Sequence, residues 1–194
     1  SWSFYGPFGE AVHKIFEQIG KGEEVTKPKE LSDFLFEKIK SEAKEFFETL
    51  KVTHPNAEFY FEFEIKSKDL TPEFKSALAK RTGQKVDSVN GRIDLLVVDA
   101  NGDAYIYDYK VSRRNVGDWN ATSNFNPSSV SNEDLYASLE DQTMPTPKKR
   151  DIKYQMAMYS AILKQYGINV AGCRIVPVKL DMNISKEFVI DEDT

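Results

Sequence analysis

Cysteine is nearly absent from the chain. Its 194 residues contain one cysteine, Cys173, and only two histidines. One cysteine cannot form an internal disulfide, and it supplies too few thiolates for a cysteine-ligated iron-sulfur cluster, so an iron-sulfur protein is excluded. Cys173 lies in an apolar stretch, which predicts a small residue of the hydrophobic core rather than a nucleophile.

The sequence also lacks the signals of membrane insertion, secretion and nucleotide-driven motors. It has no apolar run of membrane length and no secretory leader, so an intracellular, cytoplasmic protein is expected. It has no Gly-x-x-x-x-Gly-Lys-Ser/Thr loop either, so any unwinding activity is expected on another chain or in a missing segment. The chain begins with Ser1 rather than Met, which leaves open a cut from a longer polypeptide.

Hydrophobic residues, in contrast, are plentiful. They make up 40% of the chain, and aromatic residues make up 12%. A chain of this length and composition can bury a sizeable core without disulfides or cofactors. We therefore expect one domain that spans residues 1–194.

Two β-rich segments flank the turn dipeptide Asn101-Gly102 and predict an antiparallel hairpin. They cover residues 93–98 and 104–111 and carry two carboxylates and a lysine. Side chains alternate between the faces of a strand, and directly opposed residues share a face. The register of the hairpin therefore decides whether these groups can act together.

The length of the loop sets this register and leaves two alternatives. A two-residue loop would oppose Asp94 to Tyr109, whereas a three-residue loop with Gly102 in the left-handed conformation would oppose Asp94 to Asp108. Adjacent carboxylates repel unless a cation or a shared proton compensates them, and hard oxygen ligands favour magnesium or manganese. In the second register Lys110 could hold and polarise a water molecule at such a site.

Two predicted helices carry further polar candidates. Residues 7–19 have helical spacing, with His13 at the border of the apolar stripe. After Asp151, Gln155 and Tyr159 lie four residues apart and therefore on one helix face. Taken singly, His13 is typical of a boundary histidine and Tyr159 of a core residue, but in this order with the hairpin they match a specific pattern.

The pattern resembles the RecB-like branch of the PD-(D/E)XK nuclease superfamily. That branch has the ordered motifs Gly-x-x-x-His, Gly-x-x-Asp, Asp-x-Lys and Gln-x-x-x-Tyr, which this chain shows at residues 9–13, 91–94, 108–110 and 155–159. The resemblance spans nearly the whole chain. It implies a restriction-endonuclease-like α/β core, with a mixed central β-sheet flanked by helices.

The resemblance also implies a metal site. By it, His13, Asp94 and Asp108 would bind Mg²⁺ or Mn²⁺, with the backbone carbonyl of Tyr109 as a further candidate ligand. The two aspartates would be catalytic through the metal.

Three other residues would take part in catalysis by the same resemblance. Lys110 would orient the attacking water. Gln155 and Tyr159 would lie beside the site and position either the DNA backbone or the lysine.

Candidate DNA contacts are basic residues that adjoin these motifs. The chain has 26 basic and 31 acidic residues, and its net charge of -5 argues mildly against nucleic acid. Basic residues nevertheless cluster next to the predicted site, and bound metal ions would make the local potential more positive. The candidates are Arg92, Arg113, Arg114, Lys148, Lys149 and Arg150.

The rest of the chain predicts scaffold. Residues 31–50 have the spacing of a long amphipathic helix, Thr71 and Pro72 begin a short helix to about residue 81, and closing strands are expected at 170–180 and 187–190. Residues 112–150 form a polar segment longer than most connections, which predicts an insertion loop.

A strand is predicted at residues 58–65, where apolar and acidic residues alternate. The alternation places the apolar residues 59, 61, 63 and 65 on one face and the glutamates on the other. Glu62 or Glu64 could approach the metals, but a solvated strand face is the favoured interpretation, so neither is assigned as a ligand.

These features predict a metal-dependent deoxyribonuclease that hydrolyses phosphodiester bonds in DNA repair, recombination or the processing of foreign DNA. Its expected partners are DNA and a helicase or recombination protein on another chain. Three alternatives remain: a catalytically silent nuclease fold that serves as a binding module, a sequence- or structure-specific endonuclease, and an enzyme that acts on RNA.

Overall fold

The computed structural model describes residues 7–112, 124–125 and 148–179. Within these ranges, four helices and five strands follow one another in chain order: α1 (Pro7–Lys21), α2 (Asp33–Thr53), β1 (Glu58–Lys66), α3 (Pro72–Thr82), β2 (Asn90–Val98), β3 (Ala104–Ser112), β4 (Asn124–Phe125), α4 (Lys148–Gln165) and β5 (Val170–Lys179). No helix in these described ranges is long and apolar enough to cross a membrane.

The strands form one mixed sheet in the order β1-β2-β3-β5-β4. β3 and β5 pair in parallel, and the other neighbouring strands pair antiparallel. Parallel neighbours need a long crossover connection, and α4 lies on that connection. The mixed sheet flanked by helices confirms the predicted fold class.

Helices cover both faces of the sheet. α1 and α2 bury Ile15 and Ile39 against the face that carries Tyr107, whereas α4 buries Met156 against the opposite face with Ile106. α3 packs through a smaller apolar cluster that includes Met158 of α4. The sheet is therefore covered on both sides, with α1 and α4 on opposite faces.

The start of α3 follows the predicted signal, whereas the cap of α2 was not among the predictions. Ser32 caps α2 by accepting a hydrogen bond from the Leu35 N–H at 3.2 Å, and Thr71 caps α3 in the same way. α4 differs from the prediction, because it begins at Lys148 and includes Asp151.

The β2–β3 hairpin has the three-residue register. Leu95 pairs with Tyr107, the Asp99 N–H donates to the Asp103 carbonyl at 2.8 Å, and Gly102 has a φ of 84°. A positive φ is a conformation that glycine adopts without a steric penalty. The register that opposes residues 94 and 108 is thus confirmed.

Several predictions fall outside the described residues. They concern Arg113, Arg114, most of the 112–150 segment and the strand at 187–190. The side chains of Lys148, Lys149 and Arg150 are likewise not described.

Candidate metal centre and active site

A cleft of about 1180 Å³ opens where α1 and α4 approach the first three strands of the sheet. All four sequence motifs contribute to its walls. It is lined by Gly9, Glu10, His13, Lys14 and Glu17 of α1, by Glu62, Glu64, Ile65 and Lys66 of β1, by Asn90, Gly91, Arg92 and Asp94 of β2, by Asp108 and Lys110 of β3, and by Gln155 and Tyr159 of α4.

The backbone pairing of β2 and β3 gives way at this cleft. It runs from Val98 opposite Ala104 to Leu95 opposite Tyr107. At the next position the carboxylate of Asp94 accepts a hydrogen bond from the Tyr109 N–H at 2.9 Å. Since a side chain satisfies a backbone donor here, Asp94 is fixed to the neighbouring strand at the point where the two aspartates meet.

β1 is distorted at the same level of the sheet. Glu62 has a φ of 47°, a left-handed conformation that is uncommon for a residue other than glycine. Phe61 packs on the core beneath α1 and α2, whereas Phe63 and Ile65 pack on the core beneath α4. The prediction that the apolar residues of β1 share one face is therefore wrong, because the strand reverses its faces at Glu62.

β2 reverses its faces at the matching position. Ile93 belongs to the core beneath α4, but Leu95, two residues later, belongs to the core beneath α1 and α2. Phe61 pairs with Leu95 and Phe63 with Ile93, so Glu62 and Asp94 occupy the twisted positions between these pairs. Strained backbone of this kind costs stability and clusters at functional sites.

His13, Glu62 and Asp94 form a compact cluster. His13 Nδ1 lies 3.3 Å from Asp94 Oδ1 and 3.7 Å from Glu62 Oε1, and candidate ligand atoms of the three residues all lie within 4.8 Å of one another. Burial alone would lower the pKa of His13, but the hydrogen bonds and charges of Asp94 and Glu62 outweigh it and raise the pKa to about 10. The imidazole therefore behaves as a cation between two carboxylates.

Asp108 and Lys110 form a buried ion pair beside this cluster. Lys110 Nζ lies 2.8 Å from Asp108 Oδ2, and both side chains are almost fully buried. Burial and the charge of Asp94 raise the pKa of Asp108 to about 7, against the opposing effect of Lys110. Burial would also raise the pKa of Asp94, but its contacts with His13, the charge of Lys110 and the Tyr109 N–H hold it below its usual range.

The donor set of the cleft fits a hard divalent cation. The carboxylates of Glu62 and Asp94 lie within 4.8 Å of the imidazole of His13, and Asp108, outside this cluster, lies beside Asp94 in the same cleft. Oxygen ligands with one imidazole suit Mg²⁺ or Mn²⁺ better than a soft metal. A divalent ion would also compensate the repulsion between the adjacent aspartates.

Tyr159 is held against the Gly-x-x-Asp motif. A Cβ added to Gly91 would lie 2.4 Å from the Tyr159 ring, so only glycine leaves room for the ring at this position. The backbone N–H of Arg92 donates a hydrogen bond to the Tyr159 hydroxyl, whereas burial and the nearby aspartates raise the pKa of Tyr159 to about 12. Tyr159 therefore stays protonated and couples α4 to β2.

The remaining predicted residues are placed as follows. Gln155 lies in the cleft wall, one helical turn before Tyr159. Arg92 is largely exposed, and its Nε lies 3.0 Å from Glu62 Oε2. The side chain of Tyr109 packs on the face of the sheet that α1 and α2 cover, with its ring centroid 5.5 Å from that of His13.

Glu62 is the residue that the sequence interpretation missed. Strict alternation predicts a solvated position for it, yet the structure places it between His13 and Arg92. The pairing of β1 with β2 could have indicated it, because a strand that pairs with β2 brings one of its glutamates beside Asp94. Alternation alone could not reveal the reversal of faces.

Comparison with known proteins bears on the same residues. The profile of the PD-(D/E)XK nuclease superfamily matches residues 5–179. Searches of curated proteins and of solved structures gave no significant match. The profile match covers all four motifs, whose residues line one cleft, and most of the 194 residues, so the chain belongs to the PD-(D/E)XK nuclease superfamily.

Proposed function

We propose that the chain is a metal-dependent deoxyribonuclease of the RecB-like exonuclease type, which hydrolyses phosphodiester bonds. One observation carries the proposal: His13, Asp94, Asp108 and Lys110, from three different elements, converge in one cleft. Membership of the superfamily supports nuclease activity, and the order of the four motifs supports the RecB-like type.

His13, Glu62 and Asp94 would hold one divalent ion, with Asp108 as the adjacent carboxylate ligand. When bound, Mg²⁺ or Mn²⁺ lowers the pKa of water and stabilises the negative charge that develops on the phosphate. The Tyr109 carbonyl remains a candidate ligand. Its backbone is fixed by the hydrogen bond from its N–H to Asp94, which keeps this part of β3 next to the site.

Lys110 would act on the water and the phosphate. An ammonium cannot bind a cation, but it can donate hydrogen bonds to an attacking water and to a phosphate oxygen. Asp108 fixes the ammonium at 2.8 Å, and burial of both side chains excludes competing solvent. A donor positioned in advance costs little reorganisation when the charge on the phosphate develops.

Gln155, Tyr159 and Arg92 would position the substrate. Gln155 and Tyr159 occupy the wall formed by α4, opposite α1, where an amide and a phenol can donate to phosphate oxygens. Arg92 is exposed over 63% of its side chain and is anchored by Glu62, so its remaining donors can face a phosphate at the mouth of the cleft.

The proposal is tested with end-labelled linear DNA and covalently closed circular DNA, each incubated with Mg²⁺, Mn²⁺ or EDTA. Cleavage should require the metal and should be lost in Asp108→Asn, which removes a ligand charge but keeps the volume. Asp87→Asn is the matched control, because Asp87 is an exposed carboxylate outside the cleft. Absence of cleavage in every metal, with the fold intact, would instead support a silent binding module.

The two DNA forms separate the finer alternatives. An exonuclease releases nucleotides from the linear DNA and leaves the closed circle intact, whereas an endonuclease nicks or linearises the circle. RNA of the same sequence tests the third alternative. The chain has no phosphate-binding loop of its own, and we propose a helicase on another chain as a partner. This partner is tested by adding a helicase to the cleavage assay.

A further inference from the structure

Tyr166 is an exposed aromatic residue that is hydrogen-bonded to the wall of the cleft. It lies in the turn that follows α4, and 50% of its surface is exposed. Its hydroxyl donates a hydrogen bond to the Lys66 carbonyl at 2.6 Å. Lys66 lines the cleft and is the last residue of β1, so the Tyr166 hydroxyl is one hydrogen bond away from a residue of the cleft wall.

The ring is held firmly and lies next to positive charge. Lys68 Nζ lies 4.6 Å from the centroid of the Tyr166 ring. Gln165 accepts a hydrogen bond from the Lys68 N–H at 2.8 Å and donates one to the Asp69 carbonyl at 3.3 Å, which fastens this segment to α4. A rigid tyrosine presents a large flat surface at a low cost in conformational entropy.

Basic side chains lie among the carboxylates of the cleft wall, and a further one lies at this ring. Lys14, Lys66 and Arg92 line the cleft, and Lys68 is the next basic residue after Lys66 along the chain. Tyr166 does not itself line the cleft, and neither do Phe34, Val52 and Tyr60, the other large apolar side chains that are exposed in the described part of the chain. The Tyr166 hydroxyl, however, bonds to Lys66, which does line it. Among the residues that the structure describes, Tyr166 is therefore an exposed ring within reach of a phosphate backbone that leaves the cleft past Lys66.

We propose that Tyr166 and Lys68 form a platform on which an unpaired base stacks while the adjoining phosphates enter the cleft. Inside a duplex the neighbouring bases cover both faces of each base, so only an unpaired base or a strand end can stack on a side chain. Aromatic rings beside a basic groove bind single strands in this way. The inference rests on the proposed nuclease function and specifies its substrate as single-stranded DNA.

Binding is measured in protein that carries Asp108→Asn, so that the result does not depend on cleavage. In this background Tyr166→Trp places a fluorophore at the platform, and the same protein with Tyr166 intact corrects for Trp2 and Trp119. Oligothymidine in Mg²⁺ should quench the introduced tryptophan, whereas covalently closed circular duplex DNA, which has no strand ends, should not. Quenching by the duplex alone, or no binding of the single strand, would overturn the proposal.

Substitutions separate stacking from a structural role of Tyr166. Tyr166→Ala should weaken binding of single-stranded DNA about tenfold or more, the scale of losing one stacked base. Tyr166→Phe keeps the ring and loses the bond to Lys66, so it should bind within about threefold of Tyr166. Tyr60→Ala, an exposed tyrosine at the other end of β1, should change nothing.

Equal losses in Tyr166→Phe and Tyr166→Ala would show that the hydroxyl merely fastens β1 to α4 and would refute the platform. A failure of the nuclease assay would leave these binding results unchanged. The two proposals therefore fail separately.

Discussion

His13 is the residue whose charge must change if the site takes up a metal ion. Asp94 and Glu62 outweigh burial and raise its pKa to about 10, so it is protonated near neutral pH. An imidazole that binds a metal must be neutral, so metal uptake should release a proton.

The first prediction is that Mn²⁺ binding at about pH 8 releases roughly one proton from His13. Titration calorimetry in two buffers of different ionisation enthalpy measures this number directly. In His13→Gln the release should disappear and the affinity should fall, because the ligand and its proton are both removed. Heat that is independent of the buffer in the unsubstituted protein would exclude His13 as a protonated ligand.

Lys110 differs from His13 because its role is expected in turnover rather than in metal binding. The second prediction is that Lys110→Ala binds Mn²⁺ and DNA almost normally but cleaves about 100-fold more slowly, the scale of losing a positioned catalytic group. Lys110→Arg should restore little activity, since a planar fork replaces a compact charge. Single-turnover cleavage at saturating metal measures the effect.

Two control variants distinguish a catalytic effect of Lys110 from a loss of folding. Lys110→Met fills the same space, and Lys85→Ala removes an exposed lysine outside the cleft. Thermal melts of all variants should be cooperative. If folded Lys110→Ala cuts within a few-fold of the unsubstituted rate, the lysine serves only to neutralise Asp108.

Residue by residue, the sequence predicts the convergence of the site but not its full ligand set. The spacing of Gly9 to His13 and of Gln155 to Tyr159 is local helical geometry, which a sequence records directly. Glu62 enters the cluster only because its backbone adopts a φ of 47° and turns β1 over. That conformation arises from pairing with a distant strand, so no local pattern encodes it.

At the level of the elements, the β2–β3 hairpin is the best predicted part of the fold. A glycine in the left-handed conformation at position 102 selects the three-residue loop, and this loop alone opposes residues 94 and 108. The contact between α4 and β2 was not predictable in the same way. It depends on how closely Tyr159 can approach Gly91, which is a property of the packed structure.

The third prediction concerns this contact. Gly91→Ala should destabilise the protein by about 1–3 kcal/mol, the usual cost of overpacking, because the new Cβ would lie 2.4 Å from the Tyr159 ring. It should also slow cleavage by displacing Tyr159 and Asp94. Gly172→Ala is the matched control, since it lies in β5 and its Cβ would meet Tyr105 at an ordinary 3.5 Å.

A double-mutant cycle tests whether contact with the Tyr159 ring causes this loss of stability. In a Tyr159→Ala background the ring is gone, so Gly91→Ala should cost little further stability. Urea unfolding of the four proteins gives the coupling free energy. If the two substitutions are additive, the loss of stability in Gly91→Ala does not come from contact with the Tyr159 ring.

Across the whole molecule, the net charge is a poor guide to function because the charges are unevenly distributed. The chain carries a net charge of -5, yet Lys14, Lys66 and Arg92 surround an acidic centre in one cleft. The protonation of this centre also affects the stability of the fold, because two of its groups have shifted pKa values. The pKa of Asp108 rises from the ordinary aspartate value of 3.8 to about 7, and the pKa of His13 rises from the ordinary histidine value of 6.5 to about 10.

The last prediction follows from the sign of these shifts. Both groups hold protons more tightly in the folded state, so their contribution to stability is lost as pH rises through the folded-state pKa, about 7 for Asp108 and about 10 for His13. Metal binding needs both groups deprotonated and stabilises the fold by mass action, so its effect grows as pH rises. The difference in Tm between Mg²⁺ and EDTA should therefore widen from about pH 5.5 to 8.5. Asp108→Asn should reduce that rise below about pH 7, where Asp108 loses its proton, whereas the contribution of His13 should continue above it. A difference that stays constant in the unsubstituted protein would show that metal uptake displaces no proton from this centre.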